Sequence, residues 1–169
     1  MLTDYLIIGS GIAGLTYALK VSEDLPDASI TIITKSDANE GSTKYAQGGI
    51  AVVLDSINDS FEEHVNDTLK AGDGLSDKKI VRMVVKDAPN RFKDLLRYGI
   101  DFDKNDFMKY DLALEGGHTN KRILHHKDST GIEIEKKLLK NINPRSNISL
   151  YTHLFAIDLI VQENICLGT

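Results

Sequence analysis

One cysteine, Cys166, stands in the whole chain, too few for a disulfide framework or a cysteine zinc cluster. No apolar run approaches the ~20 residues of a membrane span. The start, Met-Leu-Thr-Asp, lacks the basic stretch and long apolar core of a secretory signal. Basic residues are outnumbered, 20 against 25, for a formal charge of −5. Phosphate backbones call for a basic face, so nucleic acid is not the expected partner. No internal repeat or low-complexity segment interrupts the sequence. With 41% hydrophobic and 27% charged residues over 169 positions, the composition is that of a globular domain with a real core. The expectation is a soluble, cytoplasmic chain with no membrane partner.

What is present begins at once. Residues 3–9 (TDYLIIG) read as a buried strand, and residues 12–23 as a helix with Ile12, Leu15 and Leu19 on one face. After the turn at Pro26 and Asp27, residues 29–34 (SITIIT) are rich in β-branched side chains and read as a second strand. Strand, helix, strand within about 35 residues is a βαβ unit, which builds parallel sheets. Residues 36–49 read as loop, 60–71 and 77–98 as helices, and 100–127 as irregular with a short extended piece at Arg122–Leu124. The second helix places Ile80, Val84, Ala88, Phe92 and Leu95 near helical spacing, with Gly99 to end it. A further helix starts at Asp128–Thr130, which offers capping side chains, and runs to about Asn143 before Pro144. Its charges read as a solvated face opposite Ile134, Leu138 and Ile142, with Glu133 placed to support Lys137. Residues 147–153 and 155–162 read as two more strands. The expected fold is an α/β, Rossmann-like domain with a parallel sheet and helices, incomplete at its C-terminal end. Its expected parts are a βαβ unit with a loop over 1–55, a helical and irregular excursion over 56–127, and a return helix and strands over 128–169.

Within "DYLIIGSGIAGLTYALK", Gly9, Gly11 and Gly14 stand at the G-x-G-x-x-G spacing. The first permits a tight turn, the second lets backbone approach a pyrophosphate, and the third lets helix and strand pack closely. The helix N-terminus then offers free N–H groups and a positive dipole end to phosphates. The acid that holds a ribose about 20 residues later is missing. Thr34, Lys35 and Ser36 stand there, and Asp37 falls past the strand end. That disfavours an NAD(P)-dependent dehydrogenase. A second glycine-containing loop follows, "EGSTKYAQGGIAVV", residues 40–53, with hydroxyl and amide side chains just before Gly48 and Gly49.

Together, "IIGSGIAGL" and "TKSDANEGSTKYAQGGIA" resemble the flavoproteins of fumarate reductases, succinate dehydrogenases and L-aspartate oxidases. The stretches "HVNDTLKAGDGL", "EGGHTNKRILHHKDSTG" and "FAIDLI" resemble the L-aspartate oxidase branch in particular. The resemblance implies FAD, with a Ser/Thr-Lys pair in place of the missing acid. It implies that Gly9, Ser10, Gly11, Ile12, Ala13 and Gly14 surround the pyrophosphate and that Lys35 lies by the adenosine ribose. Ser42, Thr43, Lys44, Tyr45, Ala46, Gln47, Gly48 and Gly49 would wrap the flavin side, and Phe155 and Ala156, opening the last strand, would touch the adenine half. Aligned on "AQGG", Ser42 falls where members with covalent flavin carry histidine, which implies non-covalent FAD.

For the substrate, the resemblance assigns Glu115 to orient L-aspartate by pairing with its α-amino group, although Leu114 stands where arginine is common. His118, His125 and His126 read as structural or surface histidines, with a place lining the substrate channel as the alternative for His118. His125 and His126 complete no metal-ligand spacing, so no metal is expected, and His64 and His153 carry no role. The implied reaction oxidises L-aspartate to iminoaspartate with O₂, giving hydrogen peroxide, or with fumarate. It is the first step toward NAD through quinolinate, with quinolinate synthase as pathway partner. The family's proton-transfer residues and capping domain fall beyond residue 169, so the expectation for the 169 residues alone is an inactive fragment. The competing expectations are a fumarate reductase or succinate dehydrogenase flavoprotein subunit and a non-catalytic nucleotide-binding remnant.

Overall fold

The computed structural model describes residues 2–169. They divide into two units, one made of the residues up to Tyr45 with Ile134–Thr169, the other of Ala46–Glu133. In the first, β1 (Tyr5–Ile8), α1 (Ile12–Asp24) and β2 (Ile30–Ile33) form the expected βαβ unit. After the excursion, α4 (Thr130–Ile142) leads to β6 (Ile148–Tyr151), which lies on the other side of β2. The sheet order is β1-β2-β6, parallel throughout, with Ile30 opposite both Tyr5 and Ile148. As the middle strand, β2 is buried at all four positions, which is why it reads as an unbroken β-branched run.

Helix α1 buries Leu15, Ala18, Leu19 and Ser22, while Ile12 at its first turn is partly exposed. Asn147 accepts from Ser22 at 2.7 Å, and Arg145 pairs with Glu23 at 2.8 Å, tying α1 to the approach of β6. Helix α4 buries Ile134, Leu138 and Ile142 as expected, but its charged residues are not all solvated. Glu135 is only 2% exposed, because it follows Ile134 and lies one turn before Leu138, within the inward stripe.

The expected strand 155–162 is a correction. Phe155 and Ala156 are outside any strand, and the apolar run instead forms a hairpin of β7 (Ile160–Gln162) and β8 (Ile165–Gly168). Glu163 and Asn164 turn it with φ of 51° and 63°, the positive pair that a two-residue hairpin turn requires.

In the second unit, β3 (Ile50–Ala51), β5 (Ile123–Leu124) and β4 (Leu112–Ala113) form a small antiparallel sheet in that order. Helices α2 (Phe61–Ala71) and α3 (Lys78–Arg97) pack beside one another. Ser60 caps α2, accepting from the Glu63 amide at 3.2 Å while its hydroxyl meets the Glu63 carboxylate at 2.9 Å. Asp77 caps α3 through the amides of Lys79 and Ile80. At its other end, Gly99 takes φ +82°, and the amides of Gly99 and Ile100 bond back to Leu96 and Leu95. The face of α3 differs from expectation in its first half. Val85, Phe92 and Leu95 are buried, whereas Ile80 and Val84 stay more than half exposed on the rim of an apolar groove with His64 and Ala88. No helix among the described residues is long and apolar enough to cross a membrane.

Candidate functional site

The β1–α1 connection is shaped by its glycines. A Cβ on Gly14 would sit 2.1 Å from the carbonyl oxygen of Gly9 and 3.2 Å from Ile7, so only glycine lets the helix lie this close to the strand. Gly9 itself takes φ +106°. Gly11 is the N-cap of α1, with no capping side chain and no acid in the first turn, so the positive helix end is left for an anion. One of its amides, Ile12, donates to the Thr43 hydroxyl at 3.0 Å.

This turn forms one wall of a cavity of about 350 Å³. Gly9, Ser10 and Gly11 line it from the turn, Thr34 and Lys35 from the end of β2, Ser42 and Thr43 from the following loop, and Phe155 and Ala156 from beyond β6. Residues chosen from four separate stretches of sequence thus meet around one space. Ile12, Ala13 and Gly14 form the first turn of α1 behind it. Ser10 Oγ donates to Thr34 Oγ1 at 3.1 Å, both buried, which locks the turn to the neighbouring strand end.

Lys44 and Tyr45 do not line this cavity. Lys44 pairs with Glu40 at 2.9 Å, and the Tyr45 hydroxyl donates to the same carboxylate. Those two hydrogen bonds, Tyr45's first, hold the Glu40 carboxyl below its ordinary range. Beside them, Glu135 Oε1 lies 3.8 Å from where a Cβ of Gly41 would be. Neither Glu135 oxygen has a hydrogen-bond partner, and burial pushes its pKa up to about 7 despite nearby Lys44.

Ala46, Gln47, Gly48 and Gly49 belong to the second unit. There Gly49 passes over β5 so closely that a Cβ would sit 2.1 Å from the Leu124 carbonyl oxygen. Its amide donates to Glu115 Oε1 at 3.3 Å, and Glu115 Oε2 lies 3.4 Å from the Cβ position of Gly48. Glu115 and the paired glycines, 66 residues apart, are therefore neighbours. No basic side chain among the described residues pairs with Glu115, so its carboxylate is available to a cation.

The turn that carries Glu115 rests on residues not singled out from the sequence. Arg122 has a fully buried side chain and binds Asp59 through Nε and Nη2, at 2.8 and 2.6 Å, and Asp67 through Nη1 at 2.6 Å. Burial disfavours all three charges, yet the hydrogen bonds outweigh it and hold both carboxyls below their usual range. His118 Nδ1 lies 3.1 Å from the same Nη1, and the buried His64 ring is 5.5 Å from that of His118. Burial first, then the positive charge of Arg122, lowers the pKa of His64. The available signal was His64 and Asp67 at i and i+3 on α2, flanking Val65 on its inward side. His125 lies against Asp103 and Asp111, and His153 against Asp37.

Residues 4–169 match the family model described as the FAD binding domain. Among curated relatives, the chloroplastic L-aspartate oxidase of Oryza sativa subsp. japonica is 47% identical over 161 residues, 95% of this chain and 24% of its own. The L-aspartate oxidase of Yersinia pestis is 43% identical over 99% of this chain and 31% of its own. Among solved structures, E. coli quinol fumarate reductase FrdA, in a mutant form, superposes with a TM-score of 0.92 at 27% identity, over 97% of this chain and 28% of its own. Mycobacterium smegmatis Sdh1 gives 0.88 at 28% identity, over 97% and 30%. The chain thus spans about a quarter to a third of the length of the curated relatives it matches.

Proposed function

Because this chain belongs to the FAD binding domain family and its cofactor is FAD, we propose that it is the cofactor-holding part of an L-aspartate oxidase. Relatives bearing that name match it over nearly all its length. The residues present fit the group. The N-terminus of α1, with no capping side chain and no acid in its first turn, faces a pyrophosphate with its positive end, and Gly14 lets the helix lie close enough to β1 to bring it there. Lys35, at the cavity wall, supplies a cation and donor for a ribose or phosphate oxygen in place of the missing acid. With Ser42 at the position that carries histidine in covalent flavoproteins, FAD is held by these contacts alone.

The observation that carries the substrate assignment is Glu115, a carboxylate oriented by the Gly49 amide at 3.3 Å and unpaired with any protein cation among the described residues. It accepts the α-ammonium of L-aspartate, a group that succinate and fumarate lack. A fixed partner for that ammonium orients the Cα–H bond before reaction. When bound, FAD would supply the two-electron acceptor, and loss of a hydride from Cα together with a proton from the nitrogen would give iminoaspartate, with O₂ or fumarate as final acceptor. Quinolinate synthase is the pathway partner that consumes such a product on the way to NAD.

The fumarate reductase or succinate dehydrogenase reading is favoured by the close superposition on those flavoproteins and opposed by Ser42 and Glu115. Glu115→Gln, made at the full length of the relatives, separates the two. The loss of one charged hydrogen bond raises KM for L-aspartate by about tenfold or more while flavin content is unchanged. An unaltered KM contradicts the assignment.

A further inference from the structure

A guanidinium has five donors and no acceptor, so the 3.1 Å contact between Arg122 Nη1 and His118 Nδ1 can run only one way. Nδ1 accepts, and the imidazole carries its proton on Nε2. Arg122 has little freedom to do otherwise. Asp59 holds two of its nitrogens, and Asp67 holds the same Nη1 that faces His118. Asp67 also accepts from the amide and hydroxyl of Thr119, each at 2.9 Å, so the backbone next to His118 is pinned to the same carboxylate. From His118 the turn closes back, its amide donating to the Glu115 carbonyl at 3.2 Å around Gly117 at φ +85°. Nε2 finds no acceptor among the described residues.

We propose that Arg122, clamped by Asp59 and Asp67, is a positioning residue that fixes His118 as the Nε2–H tautomer, so that the turn Glu115–His118 presents an acceptor and a donor to one zwitterionic substrate. Glu115 takes the ammonium and His118 Nε2–H donates to a carboxylate of the same molecule. The substrate half rests on the L-aspartate reading above, and the tautomer half does not. A buried Arg–Asp pair serving stability alone needs no contact with a half-exposed histidine, whereas here the guanidinium nitrogen bound by the second carboxylate is the one that meets Nδ1.

The test uses the flavin-loaded protein with ¹⁵N-labelled histidine and a long-range ¹H–¹⁵N correlation, without substrate. The expected spectrum assigns His118 an unprotonated Nδ1 and a protonated Nε2. An Nδ1–H tautomer overturns the proposal, whatever the protein oxidises. Removing one partner of a buried ion pair is strongly destabilising, so the kinetic arm varies His118 rather than Arg122. His118→Gln places an amide nitrogen near the position of Nε2, and His118→Asn near that of Nδ1. His118→Asn is expected to raise KM for L-aspartate about tenfold more than His118→Gln does, with kcat less affected and flavin content equal. Equal KM values overturn the substrate half. If no variant, nor the parent, responds to L-aspartate while the tautomer is as expected, it is the functional reading that has failed.

Discussion

Single residues in this chain were legible when their role is in the backbone and opaque when it depends on a distant partner. Gly9 and Gly14 announce themselves because no other residue type meets the turn's demands: Gly9 takes φ +106°, and a Gly14 Cβ would sit 2.1 Å from Gly9 O. Glu135 looked like an ordinary solvated charge, and Arg122 like no more than the start of a short extended piece. Arg122 is buried only because Asp59, 63 residues earlier, comes to meet it. Glu135 is buried with no such partner, and this has a consequence in pH. Its pKa, raised by burial to about 7 from an ordinary value of 4.5, makes the protonated form the one the fold prefers. That contribution to stability is complete below the unfolded pKa and is lost as pH rises through about 7. The loss amounts to about 3 kcal/mol by linkage. Glu135→Gln, which keeps the shape and stays neutral, is expected to flatten this part of the profile. Urea unfolding at pH 5 and pH 8 measures it, and an unchanged pH dependence contradicts the burial account.

At the scale of elements, the boundaries carried their own signals. Ser60 with Glu63, Asp77, and Gly99 mark helix ends by side-chain and backbone chemistry that acts within four residues. The β7–β8 hairpin lacked so clear a mark, since Glu163–Asn164 is a weaker turn pair than Asn-Gly and the flanking residues read as one apolar run. Likewise the inward stripe of α3 was misplaced toward Ile80 and Val84, because periodicity tells that a helix has an apolar face but not how much of it finds a neighbour. The β1–α1 contact gives the sharpest element-level prediction. Gly14→Ala forces a methyl group onto the Gly9 carbonyl and must lift α1 from β1. A destabilisation of about 1–3 kcal/mol is expected, with FAD affinity weakened because the turn and the helix N-terminus move together. Parallel urea melts and flavin titrations check it, and a variant that binds FAD as tightly as the parent shows that the close approach is dispensable.

For the molecule as a whole, the parallel sheet could be anticipated but its order could not. The strand that flanks β2 opposite β1 is β6, with Ile148 paired to Ile30 across 118 residues of chain, and local patterns say nothing of such a pairing. The same holds for function. The cavity beside α1 collects residues from both ends of the chain, and Glu115 reaches Gly49 across the second unit. Each of these was nameable singly, and only the fold makes neighbours of them. On the proposed reading, FAD is held there without a covalent bond and an ammonium-bearing diacid is the reductant. Anaerobic titration of the FAD-loaded protein, at the full length of its relatives, tests that claim most directly. Bleaching of the flavin absorbance by L-aspartate, with no response to succinate, is the predicted result, and bleaching by succinate but not L-aspartate would contradict it.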